Sequence, residues 1–226
     1  MDYKSIIKMD QLTFKFPFSK RYYEQDFFVS SNNFSAYKLI ESWPTWPGKW
    51  LNIFGDPGSG KTHLAKILEK KIDKIKLVEA NKINHEIIQS LNNLDCLIID
   101  NYSSNIEEKL LYSILNQSKQ LDNYILINSL SPLKKIKFNL KDLKSRMSSF
   151  VYIGIELPTD DLLNVIITKT LSDKQISINP KISNFIINNV ERSYEKMFKF
   201  LKDIDEVSLS TGKSININLI KKVLDQ

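Results

Sequence analysis

Short apolar runs alternate with longer amphipathic segments through the first two thirds of the chain. The runs are four or five residues long, which is typical of buried strands and too short for helices. Between them, apolar side chains recur at helical spacing. This alternation predicts an α/β fold: a parallel five-stranded sheet with helices on both faces. The predicted strands are 50–54, 76–79, 96–99, 124–127 and 151–155, and the predicted helices are 34–43, 62–71, about 84–91, 106–120 and 140–147.

After residue 157 the pattern changes to helices only. Thr159 or Asp160 is suited to cap the first of them, and Pro180 fits the first turn of the second. The first thirty residues are aromatic and polar without a sustained period, which favours an arm. We therefore predict an arm at 1–25, an α/β domain at 26–157 and a small all-α domain at 158–226, with helices at 161–171, 180–188, 194–209 and 218–224.

The amino-acid composition excludes few classes of function. The chain has 226 residues, is 42% hydrophobic and carries a net charge of +6, which permits an anionic partner without requiring one. One cysteine, Cys96, and two histidines are too few for a Cys/His zinc site and favour a reducing compartment. Because the sequence contains neither a long apolar span nor a signal peptide, we expect a cytoplasmic protein.

A glycine-rich segment after the first predicted strand matches the phosphate-binding pattern G-x-x-x-x-G-K-[ST] in full. It opens a predicted helix, which is the context that the pattern requires. Backbone amides and the helix N-terminus bind phosphate oxygens, the lysine reaches the β- and γ-phosphates, and the final hydroxyl is a magnesium ligand. The pattern predicts an ATP or ADP site with Mg²⁺. Its residues are Gly55, Asp56, Pro57, Gly58, Ser59, Gly60, Lys61 and Thr62, with His63 following.

Polar residues end two later strands. Asp100 ends an apolar run and is the expected second magnesium ligand with Thr62, although an ordinary strand-end carboxylate is the alternative. The next position, Asn101, cannot accept a proton as a carboxylate can, so we expect tight binding and weak hydrolysis. Asn128 ends the fourth strand and is either a γ-phosphate sensor (sensor 1) or a polar turn residue.

These features in this order resemble the AAA+ domain of the bacterial initiator DnaA, and more closely the DnaA-related regulators of the Hda type. The resemblance runs from residue 26 to the last helix. It includes the segment Gly60–Leu64 and the pair Asp100–Asn101. It implies a P-loop AAA+ fold with a helical lid. We expect no room in 226 residues for the additional N-terminal and helix-turn-helix domains of an initiator.

The resemblance also implies roles for two arginines. Arg146 matches the family's Ser-Arg segment, whose arginine acts in trans on the nucleotide of a neighbouring subunit, and such a finger accelerates other NTPases about 10³- to 10⁵-fold. The alternative is a helix-end arginine that offsets the helix dipole. Arg192 matches the sensor 2 arginine of the lid, and its alternative is a surface pair with Glu191 or Glu195.

The arm contains a sequence similar to the motif by which these regulators bind the sliding clamp, the β subunit of DNA polymerase III. Gln11 would enter a polar site, and Leu12, Phe14 and Phe16 would fill apolar pockets. The alternative is that these side chains pack on their own domain.

Three functions follow, of which the first is favoured. It is a regulator that binds adenine nucleotide and the clamp and promotes hydrolysis of DnaA-bound ATP, which limits initiation of chromosomal replication. The second is a DNA-binding initiator or helicase-loader ATPase, and the third is a self-contained NTP hydrolase. The first implies DnaA and the clamp as partners, is compatible with a homo-oligomer, and involves neither sequence-specific DNA contact nor a membrane.

Overall fold

The structure is a computed structural model that describes residues 24–225. Contacts divide this part of the chain into two compact units. One unit contains 24–162 and 193–195, and the other contains 163–192 and 196–225. The first is an α/β unit and the second is entirely helical.

A five-stranded sheet forms the centre of the α/β unit, and every neighbouring pair in it is parallel. The predicted parallel sheet is thus confirmed. Its strands are β1 (Trp50–Phe54), β2 (Ile75–Glu79), β3 (Cys96–Tyr102), β4 (Tyr124–Ser129) and β5 (Val151–Gly154), in the spatial order β2-β3-β4-β1-β5.

Helices cover both faces of the sheet because the strands are apolar on both sides. Along β3, Leu97 and Ile99 join the core on one face while Ile98 joins the core on the other, as the two-residue period of a strand requires. These helices are α1 (Phe34–Glu41), α2 (Lys61–Glu69), α3 (Glu86–Ser90), α4 (Glu108–Gln120) and α5 (Lys141–Met147). The first core contains side chains of α3, α4 and α5, and the second contains those of α1 and α2.

The largest error of the predicted boundaries lies in β3. Its apolar run ends at Ile99, but the strand continues through Asp100 and Asn101 to Tyr102, which pairs with Ser129 after a register shift. Asp100 is 2% exposed, so a buried carboxylate lies inside the strand. The predicted end at residue 99 was wrong because Asp100 and Asn101 are polar, and polar residues usually mark the end of a buried strand.

The last four helices are α6 (Asp160–Ser172), α7 (Pro180–Asn189), α8 (Tyr194–Thr211) and α9 (Ile217–Leu224), as predicted to within two residues at each end. The helical unit contains α7, α9 and most of α6 and α8. The Thr159 hydroxyl accepts a hydrogen bond from the Leu162 N–H at 3.3 Å. The Asn179 side chain accepts from Lys181 N–H and places Pro180 in the first turn. All four helices contribute to one apolar core. Within residues 24–225, no helix has the length and apolar character needed to cross a bilayer.

A buried asparagine, Asn52, joins β1 to the loop that follows β4. Its amide nitrogen donates to the Ile127 carbonyl at 2.8 Å and to the Ser129 hydroxyl at 2.9 Å. Its amide oxygen accepts from the Leu133 N–H at 3.1 Å. The side chain is fully buried, so these three contacts satisfy groups that water cannot reach.

We expect Asn52→Leu to destabilise the protein by about 1–3 kcal/mol, because it leaves buried polar partners unsatisfied in a site of similar volume. The free energy of unfolding in urea measures this cost. Asn92→Leu, at an exposed asparagine, is the control and is expected to change stability by no more than about 0.5 kcal/mol. Equal stability of the two variants would contradict the role given to Asn52.

Candidate functional site

The loop between β1 and α2 contains two positions that favour glycine, one because of a close backbone contact and one because of its positive φ. At Gly55, a Cβ atom would lie 2.8 Å from the carbonyl oxygen of Ile155. At Gly60 the backbone has φ +98°, and a Cβ atom would lie 2.9 Å from the Phe27 ring. The glycine pattern therefore forms a tight turn that delivers the chain directly into the N-terminus of α2, where backbone N–H groups favour an anion.

Lys61 is the first residue of α2, and its ammonium lies beneath the loop. Nζ donates to the carbonyl oxygens of Gly55 at 2.6 Å and Asp56 at 2.8 Å, and lies 3.4 Å from the Ser59 hydroxyl. Burial lowers the pKa of Lys61, while the carboxylates of Asp100 and Asp56 oppose that shift. A buried cation is thus held by the carbonyl oxygens of the loop, at the place where the phosphate-binding pattern requires a positive charge.

Thr62, Asp100 and Asn128 form one hydrogen-bonded group. The Thr62 hydroxyl donates to one carboxylate oxygen of Asp100 at 2.7 Å, and the Asn128 amide donates to the other at 2.9 Å. The same amide nitrogen donates to the Lys61 carbonyl at 3.0 Å. The structure therefore brings together three predicted site residues that lie far apart in the sequence.

The oxygens of Thr62 and Asp100 suit a magnesium ion that keeps most of its ligands from water and phosphate. No group of three or more His, Cys, Asp or Glu side chains that could hold a metal occurs in residues 24–225. The amide oxygen of Asn128 is buried and has no hydrogen-bond partner among the described residues. This donor set fits a phosphate-bound Mg²⁺ better than a metal held by protein ligands alone.

Asn101 follows Asp100 with a backbone φ of 56°, in the left-handed region. Asparagine tolerates this conformation better than most residues. The residue lies at the register shift between β3 and β4, and its side chain is exposed, whereas Asp100 is buried. Asn101 thus places an exposed amide, and not a carboxylate, next to the buried Asp100.

His63 lies in the first turn of α2 and packs against an aromatic residue outside the motif. Its ring meets Phe27 edge to face, with centroids 5.3 Å apart, and Phe27 stacks on Tyr37 at 5.8 Å. Phe27 thus supports both Gly60 and His63 from one side. Sequence analysis missed this contact because it joins segments that are distant along the chain.

Arg146 lies in the last turn of α5 and is held by α4. Its Nε–H donates to the side-chain oxygen of Asn116 at 2.9 Å. A shallow surface pocket of about 420 Å³ is lined by these two residues together with Lys119 and Gln120. A side chain on another helix therefore orients the Arg146 guanidinium.

A second contact fixes the other end of α5 to α4. The Glu108 carboxylate accepts from the backbone N–H groups of Asn139 at 3.0 Å and Leu140 at 2.7 Å. These bonds lower the pKa of Glu108 below its usual 4.5. Together, Glu108 and Asn116 attach α5 to α4 at its start and at its end, and neither was singled out from the sequence.

The sheet separates Arg146 from the phosphate loop of its own chain. The loop, Asp100 and Asn128 follow or end strands, so they lie at the carboxyl edge of the sheet. The helix α5 ends shortly before β5 begins, which places Arg146 near the amino edge. Strands of five to six residues span about 17–20 Å, so one arginine cannot bridge these edges.

The remaining predicted residues have less structural support. Arg192 lies on the exposed segment between α7 and α8, two positions before α8 begins. The clamp-binding candidates Gln11, Leu12, Phe14 and Phe16 lie outside the described residues.

Comparisons with other sequences connect this geometry to known proteins. Residues 161–224 match the family described as "Hda, lid domain". The chain is 27% identical, over 98% of its length, to the chromosomal replication initiator protein DnaA of Borrelia garinii subsp. bavariensis, and the match covers 57% of that protein. DnaA of Borreliella burgdorferi is also 27% identical, with 93% of this chain and 54% of the relative covered. The chain spans about half the length of the curated relatives it matches.

Solved structures share the fold. Domain III of the Thermotoga maritima replication initiation protein DnaA has a TM-score of 0.75 at 20% identity, over 93% of this chain and 98% of that chain. A replication initiator DnaA bound to AMPPCP and single-stranded DNA has a TM-score of 0.66 at 19% identity, with 81% and 64% covered. The P-loop AAA+ fold with a helical lid is therefore confirmed.

We expect Glu108→Gln to lower the melting temperature at neutral pH, because an amide cannot accept both N–H bonds equally well. A carboxyl with a lowered folded-state pKa stabilises the protein above its unfolded pKa, near 4.5, and this stabilisation is lost as pH falls through the folded pKa. The difference in melting temperature should therefore shrink below about pH 4.5. Thermal unfolding followed by circular dichroism between pH 3 and pH 8 measures it.

Glu107→Gln is the matched control for this experiment. It removes the same charge from the adjacent exposed position. The interpretation would be wrong if both variants gave the same difference, or if the Glu108→Gln difference were equally large at both ends of the pH range.

Proposed function

We propose that this chain is a DnaA-related regulator with an Hda-type lid, and that it promotes hydrolysis of ATP held by DnaA. It binds ADP or ATP with Mg²⁺ at residues 55–62 and uses its arm to bind the DNA polymerase III sliding clamp. Arg146 then acts on the nucleotide of the DnaA partner. The result is negative control of the initiation of chromosomal replication in the cytoplasm.

Nucleotide binding is supported by the geometry of the loop and its neighbours. Lys61 supplies a buried cation, α2 supplies its N-terminus, and Thr62 and Asp100 supply oxygen ligands for the metal. The bound Mg²⁺ would neutralise phosphate charge. The structure of a protein with a similar fold, the replication initiator DnaA, has been solved with AMPPCP and single-stranded DNA bound.

Weak intrinsic hydrolysis follows from the residue after Asp100. General-base activation of water requires a group that accepts a proton, and Asn101 does not provide one. Both oxygens of Asp100 already accept hydrogen bonds, from Thr62 and Asn128. The nucleotide therefore serves mainly to stabilise a conformation of this chain. Arg192 is proposed to report the nucleotide state from the lid, and Asn128 from the sheet.

The position of Arg146 is the observation that carries the proposal. The arginine is held by Asn116 near the amino edge of the sheet, beyond reach of its own phosphate loop. An ordered guanidinium at the surface suits the polyphosphate of another subunit. There it would offset the charge that develops on the transferred phosphoryl group.

We expect Arg146→Ala to reduce stimulated hydrolysis of DnaA-bound ATP by about 10³-fold or more. The measurement is the rate of conversion of DnaA-bound ATP to ADP in the presence of clamp loaded on DNA. The variant should retain nucleotide and clamp binding, since Arg146 lies outside both proposed sites.

Lys61→Ala is the companion variant, and it should lose nucleotide binding. Normal stimulation by the Arg146→Ala variant would exclude the proposed mechanism. Loss of nucleotide binding in the Arg146→Ala variant would show that Arg146 acts on the nucleotide of its own chain.

Clamp binding rests on the sequence of the arm alone. We expect the double variant Gln11→Ala, Leu12→Ala to lose capture by immobilised clamp, because it removes both the polar anchor and the first apolar anchor. Lys15→Ala, in the same arm, is the control and should bind as wild type does. Undiminished capture of the double variant would favour an arm that packs on its own domain.

A DNA-binding initiator or helicase loader is the second candidate, since one structural relative was solved with single-stranded DNA. That function requires single-strand affinity that falls steeply with salt. A regulator that acts through Arg146 has no such requirement, so binding at low and high salt separates the two.

A further inference from the structure

We infer that Asn116 is a positioning residue for Arg146, and that it holds the guanidinium ready for the phosphates of a partner-bound nucleotide. This inference rests on the proposed action of Arg146 in trans. It adds a residue that neither the sequence motifs nor the comparisons assign.

The first argument is the geometry of the hydrogen bond. Asn116 accepts from Nε, the nitrogen nearest the aliphatic stem, at 2.9 Å. The two terminal amino groups of the guanidinium make no hydrogen bond with any residue in 24–225. A guanidinium binds phosphate through a planar fork of donors, so fixing Nε orients the plane and leaves other donors available.

The second argument is the charge of the surrounding pocket. Arg146 and Lys119 contribute two cations to its lining, while Asn116 and Gln120 contribute neutral amides. Neither a Glu nor an Asp lines this pocket, and no ion pair to Arg146 occurs in the described part of the chain. The two cations of the pocket therefore favour an anionic group over a cationic one.

The third argument explains why an asparagine suits this position. A carboxylate at residue 116 would also accept from Nε, but it would pair with the guanidinium and compete with phosphate. An amide oxygen supplies the same geometry without neutralising the charge. Asn116 therefore orients the arginine at little cost to its attraction for a partner's phosphates.

The fourth argument is the rigidity of the support. Glu108 ties the start of α5 to α4, and Asn116 ties its end, so both contacts come from one helix. Leu111 and Leu115 of α4 share a core with Leu143 of α5. Arg146 thus lies on two helices that pack together. If its orientation were lost, the rate of stimulated ATP hydrolysis would fall even if this chain still bound DnaA.

The test measures stimulated hydrolysis as a function of regulator concentration, with DnaA-bound ATP and clamp loaded on DNA. For Asn116→Ala we expect the maximal rate to fall by roughly 10- to 100-fold, the range for loss of one hydrogen bond to a charged group. The concentration that gives half-maximal stimulation should stay within about twofold, because the contact orients a catalytic group and does not support docking.

Gln117→Ala is the matched control, since it removes an amide one residue further along α4, outside the pocket lining. It should behave as wild type. Asn116→Asp keeps an acceptor but adds a charge, and its maximal rate should also fall. Adding Asn116→Ala to Arg146→Ala should produce no further loss.

The hydrogen bond itself is tested without any partner. In the free protein, the Nε–H proton of Arg146 should exchange with water more slowly in wild type than in Asn116→Ala, as measured by ¹⁵N NMR of arginine side chains. Equal exchange in the two proteins would overturn the inference. This readout, with the urea midpoint of each variant, separates a lost contact from a lost fold.

The outcomes also separate this inference from the proposed function. If Arg146→Ala abolishes stimulation while Asn116→Ala matches Gln117→Ala, Asn116 is not a positioning residue and the function stands. If Arg146→Ala stimulates normally, the function fails and the inference fails with it. A raised half-maximal concentration with an unchanged maximal rate would make Asn116 a docking residue and overturn the inference.

Discussion

Parallel strand direction is the constraint on which the arrangement of the site depends. Because all five strands run the same way, their carboxyl ends meet at one edge of the sheet. The phosphate loop, Asp100 and Asn128 are brought together there although they are distant in sequence. The same direction carries the helices back across the sheet, so α5 ends at the opposite edge with Arg146. One topological rule thus assembles the candidate nucleotide site and separates it from Arg146.

The buried polar groups follow from that arrangement. A carboxylate inside a strand is unfavourable unless its oxygens are hydrogen bonded, and here Thr62 and Asn128 supply both bonds. Asn128 also reaches the first turn of α2 through the Lys61 carbonyl. A displacement of Lys61 or Thr62 would therefore act directly on Asp100 in β3 and Asn128 in β4 through these hydrogen bonds.

Local patterns predicted the fold and the place of the glycine loop between β1 and α2. The glycine loop and the apolar strands depend on neighbouring residues, so the sequence contains their signal directly. The continuation of β3 past Asp100 was missed because polar residues inside a strand have the same pattern as a strand end. Asn116, Glu108 and Phe27 were missed for a different reason. Their partners lie on other elements, at separations that only the folded chain determines.

The left-handed backbone at Asn101 limits how this protein could change by mutation. Asparagine and aspartate are related by a single nucleotide in the genetic code, and both tolerate a positive φ. Glutamate is more than one nucleotide away and fits that conformation less well. A lineage that acquired a carboxylate at this position would therefore reach aspartate first, with a shorter side chain than glutamate. The backbone geometry thus restricts the evolutionary routes by which a carboxylate could arise beside Asp100.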